Sequence, residues 1–146
     1  MKSQKIILLL SKALVLLSAF SVLAVSLMAF QNPQGVMDLV SVKLNNADAY
    51  SSIRGVYGGV GVTIFISLLY TMRKNIQESL GLLVILWGLY AISRIMTIFT
   101  EGALGSFGTQ WLTIETFLCL AAAVLLVVNK RVAEKTTTRI TLSPRQ

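Results

Sequence analysis

The chain has 146 residues, enough for one domain, and 55% of them are hydrophobic against 13% charged, with a mean hydropathy of +0.74. A soluble domain of this size has no interior large enough to hide that much apolar surface, so membrane spans are expected. With no histidine and one cysteine, Cys119, the chain has no means for His-ligated haem, Cys/His zinc sites, CxxC redox pairs, an intramolecular disulfide, or Ser-His or Cys-His catalysis.

Four apolar runs meet the length of about 20 residues that a spanning helix needs, at residues 6–30, 53–72, 76–99 and 109–129. They are too long and too evenly apolar for barrel strands, so the fold class is all-α, an integral membrane four-helix transmembrane bundle. The first run follows Lys2 and Lys5 and contains Ala24-Val25-Ser26, the pattern of a signal peptide with a small-residue cleavage site. Its apolar stretch is about twice the usual signal-peptide core, so an uncleaved span is expected.

Between the first two runs, Asn32-Pro33-Gln34-Gly35 signals a turn, and the stretch VMDLVSVKL after it is amphipathic enough to lie on a membrane surface. Runs two and three are separated only by Arg73, Lys74 and Asn75, which makes them antiparallel neighbours. TEGALGSFG is a short, glycine-rich connection to the fourth run. Beyond Asn129 the residues 130–146 are polar and basic, the composition of a disordered tail that can lie on anionic lipid.

The distribution of the 13 Lys and Arg sets the orientation. Ten of them fall on one side, at Lys2, Lys5, Lys12, Arg73, Lys74, Lys130, Arg131, Lys135, Arg139 and Arg145. The loops of the other side hold Lys43 alone, while Arg54 and Arg94 lie within spans. Both termini are therefore expected in the cytoplasm. The net charge of +7 belongs to this flanking pattern and forms no soluble basic face, so nucleic acid is not an expected partner.

Three ionisable residues sit inside spans at similar depth from the external side. Arg94 and Glu115 lie roughly 8–9 Å below the outer interface at 1.5 Å per residue, and Arg54 lies just inside the second span. A charge at such a depth is costly alone, so Arg94 and Glu115 are expected to pair between spans three and four. Arg54 is expected to cap this cluster or to point to the outer interface, with Tyr57 one turn away on the same face. Gly55 and Gly59 form a GxxxG pair, widened by Gly58 and Gly61 into a smooth strip for close helix packing. The same glycines beside arginines would also leave room for a bound anion or headgroup. Trp87, in mid-span, is expected in the core, and the sparse acids Asp38, Asp48 and Glu101 make no metal site.

The stretch IRGVYGG, Arg94 with Gly102 following it, and Glu115 resemble a bacterial membrane family known as domain-of-unknown-function family 4345. The resemblance covers about residues 6–129 and implies a small four-span protein with a shared polar cluster at these positions. It implies no reaction.

The expected function is therefore that of a small protein of the bacterial cytoplasmic (inner) membrane, not an enzyme, with no catalytic residues, metal or cofactor. Two readings stand side by side. In one, Arg54, Tyr57, Arg94 and Glu115 bind an anionic lipid headgroup or small amphiphile. In the other, the charges staple the bundle, and the protein is an accessory subunit of a larger membrane complex. Membrane lipids are the expected partners, with a membrane protein or a second copy of the chain under the second reading.

Overall fold

The computed structural model describes the backbone of residues 2–141 and the side chains of residues 4–133. Within them the chain forms α1 (Lys2–Gln31), α2 (Pro33–Asp38), α3 (Ala47–Ile53), a π-helical turn (Arg54–Gly59), α4 (Val60–Lys74), α5 (Ile76–Thr100) and α6 (Ser106–Thr141). There is no strand among the described residues. Helices α3 and α4 and the π-helical turn make one continuous rod, so four helical rods are long and apolar enough to cross a membrane. The protein is a multi-pass membrane four-helix bundle.

Local chemistry sets the helix ends. Asn32, Asn46 and Asn75 each cap a helix with a side-chain oxygen that accepts a backbone N–H, from Gly35, Ala49 and Gln77. Pro33 occupies the first turn of α2, where its missing N–H has no helical partner to lose. Asn75 also donates to the Glu78 carboxylate at 3.1 Å, which closes the turn between α4 and α5. Gly102 has φ +104° and ends α5, its N–H donating back to the Thr97 carbonyl.

Each rod packs against the next in the chain, and α6 closes back on α1. The short α4–α5 connection lies at one end, here the turn end, together with the start of α1. The α1–α3 and α5–α6 connections lie at the other, the loop end. Helices α1 and α5 each contact all the other rods. The buried face of α1 is made of small residues, Ser11, Val15, Ser18, Ala19, Ser26 and Ala29, which recur at three-, four- and seven-residue spacings along one stripe. Lipid tails give apolar helices no hydrophobic reason to associate, so close approach over small side chains and interhelical hydrogen bonds hold the bundle instead.

Those hydrogen bonds form a ladder along α1. At the turn end Asn129 of α6 donates to the Ser11 hydroxyl at 2.9 Å. In the middle the indole of Trp87 donates to Ser18 at 3.1 Å, with both residues buried. Toward the loop end, Gly61 lies against Ser26, and Gly58 against the ring of Phe30. Leu68, Leu80, Leu83, Leu118 and Ala122 complete the core around Trp87.

Two boundaries differ from expectation. The second rod begins at Ala47, six residues before the apolar run, because Asn46 caps a polar first turn that hydropathy does not register. The backbone of α6 is helical to Thr141, beyond the run that ends at Asn129, where a tail without regular structure was expected. The remainder of that tail, 142–146, lies outside the described residues.

Candidate functional site

The five-residue loop 101–105 makes α5 and α6 antiparallel neighbours and fixes their register. Cys119 donates to the Val84 carbonyl at 3.6 Å and lies beside Gly88. Nearer the loop end the same register brings Arg94 to Glu115. Arg94 Nε donates to Glu115 Oε2 at 2.6 Å and Nη2 donates to Oε1 at 2.8 Å, a two-pronged pair. The Glu115 side chain is 2% exposed, whereas that of Arg94 is 21% exposed. The carboxylate is thus sealed between helices, and the guanidinium reaches outward.

Two tyrosines stand near this pair. Tyr57, in the π-helical turn, and Tyr90, one turn before Arg94 on α5, both lie within electrostatic range of Arg94. Neither hydroxyl makes a hydrogen bond among the described residues. Arg94 uses two of its five N–H donors on Glu115, and the other three have no partner among the described residues. The pair is net neutral. What it offers is a set of oriented donors with two tyrosines in electrostatic range, at a depth where water competes poorly.

Arg54 does not join this pair. Its Nε donates to the Phe30 carbonyl at 3.2 Å, so it caps the C-terminal end of α1, where a positive charge is favourable against the helix dipole. Of the four glycines expected to share one packing strip, Gly58 and Gly61 face α1. A Cβ on Gly55 or Gly59 would meet nothing within 4 Å, so the GxxxG pair itself is open. The face that α1 covers is the one that carries Gly58 and Gly61, three residues apart, and Gly55 and Gly59 share the open side. Val60 donates to the carbonyl of Gly55, five residues back, so the turn here is wider than an α-helix.

A cleft of about 370 Å³ lies between α4 and α5. Its walls are Thr63, Ile64 and Ser67 on one side and Leu82, Ile85 and Tyr90 on the other. At the turn end the two helices are tied by the Thr71 and Ser79 hydroxyls at 2.7 Å and by Ser79 donating to the Leu68 carbonyl at 3.2 Å. Tyr90 therefore links two features, an apolar cleft on one side and the Arg94–Glu115 pair on the other. The spacing of four residues from Arg94 could have drawn attention to it, but a tyrosine in an apolar run reads first as packing. No three His, Cys, Asp or Glu side chains are grouped as metal ligands among the described residues.

The family model described as domain of unknown function (DUF4345) matches residues 10–126. The chain belongs to that family. No curated protein and no solved structure matches it.

Proposed function

We propose that this member of the DUF4345 family is a membrane binding module that holds an anionic lipid headgroup or small amphiphile at Arg94, Tyr57 and Tyr90. One observation carries the reading. Arg94 is fixed by Glu115 yet keeps three donors and part of its surface free, and the two tyrosines in its electrostatic range have hydroxyls with no partner among the described residues. A guanidinium locked in place by a buried carboxylate is preorganised, so binding an oxygen-rich head costs little further side-chain ordering. Arg54 adds positive charge at the same end of the bundle. The chemistry is recognition, with no catalytic step assigned to any residue.

The reading includes an orientation. Lys12, Arg73, Lys74, Lys130 and Arg131 crowd the turn end, and the positive-inside rule then puts both termini in the cytoplasm and the cluster in the outer leaflet. The proposed location is the bacterial cytoplasmic membrane.

A second reading has its own support. Both Glu115 oxygens are taken by Arg94, as in a simple staple, and Gly55 and Gly59 leave an open strip flanked by exposed Val56 and Val60. An accessory subunit would dock a partner helix there.

Native mass spectrometry of protein extracted in mild detergent separates the two. Binding predicts a lipid adduct in the wild type that is lost in the Tyr57→Phe/Tyr90→Phe variant, whose ion pair is intact. An adduct unchanged by that variant, or a wild-type protein that carries only a protein partner, favours the accessory subunit.

A further inference from the structure

We infer that the α4–α5 cleft seats one hydrocarbon chain, and that the ligand is a single-chain amphiphile with an anionic head; this rests on the headgroup reading above. The cleft is almost wholly apolar, and the Thr63 hydroxyl in its wall is already bonded to the carbonyl of Gly59. From Leu82 to Tyr90 it runs about 12 Å along the helix axis at 1.5 Å per residue. A volume of about 370 Å³ is at the small end for ligand pockets, room for one chain but not for the two of a phospholipid. The Thr71–Ser79 tie closes the cleft at the turn end. Tyr90 and, beyond it, Arg94 stand at the other. A chain lying in the cleft thus brings its head to the free donors of Arg94.

The membrane changes what such a cleft can do. Lipid tails are as apolar as its walls, so the cleft alone does not concentrate a chain from the bilayer. The head supplies the attraction, and the cleft selects the number and shape of the tails attached to it. A long-chain alcohol should therefore be a poor ligand although its tail fits.

Photolabelling in lipid nanodiscs tests this. The probe is a fatty acid with a diazirine at mid-chain, and the matching alcohol is the uncharged control. The carboxylate probe should label residues 63–68 and 82–90 about tenfold more than the alcohol does. Ser67→Phe fills the cleft from α4 and Ile85→Trp fills it from α5, so misfolding of one leaves the other as the test. Each should reduce labelling about tenfold, as should Tyr57→Phe/Tyr90→Phe. If the filling variants change nothing while the tyrosine variant abolishes labelling, the cleft inference is overturned and the headgroup reading stands. If the tyrosine variant changes nothing, or the alcohol labels as well as the acid, the headgroup reading falls and this inference falls with it.

Discussion

The Glu115 side chain is sealed in the bundle at 2% exposure, while its partner Arg94 keeps about a fifth of its side chain at the surface. The two partners are therefore not equivalent when either is removed. Arg94→Leu strands a buried carboxylate and should cost about 3–5 kcal/mol. Glu115→Leu leaves an arginine that can turn outward along its own stem, and should cost about half as much. The double variant should recover much of the loss. Thermal unfolding of the three variants in one detergent gives the order, and equal losses in both single variants would contradict this asymmetry.

The bond between Trp87 and Ser18 joins α5 to α1 at the centre of the bundle. Trp87→Phe and Ser18→Ala each break it, and only the second leaves an indole N–H buried without a partner. Ser18→Ala should therefore be the more damaging of the two relative to the volume removed. A double-mutant cycle should show a coupling of about 0.6 kcal/mol, the usual size for such bonds within membranes.

Glycines of the second rod should divide into two classes. A Cβ on Gly61 runs into Ser26, which is fully buried, so Gly61→Ala should cost about 1–3 kcal/mol. Gly55→Ala and Gly59→Ala meet open space and should be neutral or stabilising by up to about 1 kcal/mol. Adding Ser26→Gly to Gly61→Ala should restore the loss. Melting temperatures of the four proteins check the division.

Gln34 holds the loop after α2. Its amide donates to Asp38 at 2.7 Å and to the Val42 carbonyl at 2.9 Å, and its oxygen accepts the Leu44 N–H at 2.9 Å. Gln34→Ala should speed hydrogen exchange at Leu44 while leaving the spans protected, because local opening there need not disturb the core. Unchanged exchange at Leu44 would show that Ser41, in the left-handed region, and the backbone bonds of the turn suffice.

The four spans and the Arg94–Glu115 pair were legible because both arise from one cost, that of placing polar groups in hydrocarbon. The role of Arg54 was not. Its charge left two expectations open, a cap on the ion cluster or a side chain at the outer interface; Arg54 is exposed, and its partner is a backbone carbonyl of α1, which carries no sequence signature. The glycines misled for a related reason. Spacing shows which glycines share a face but not which face a neighbouring helix covers, and α1 lies against Gly58 and Gly61. The serines of α1 look like neutral filler in an apolar run. Ser18 and Ser11 gain a function only from the facing Trp87 and Asn129, which lie 69 and 118 residues away in the chain.

The π-helical turn at Arg54–Gly59 absorbs one residue in the second rod. An α-helical residue turns the chain by about 100° and a residue in the wider turn by less, so the six residues there cover about the rotation of five in an α-helix. Deleting one of them while restoring an α-helix would keep the parts before and after in phase. Recasting the turn as an α-helix of the same length would instead swing everything before it by about 100° relative to α4. Arg54 would then leave the end of α1, and the loop that starts at Pro33 would have to move with it. The extra residue is thus carried without cost to the aim of the loop end or to the buried frame below.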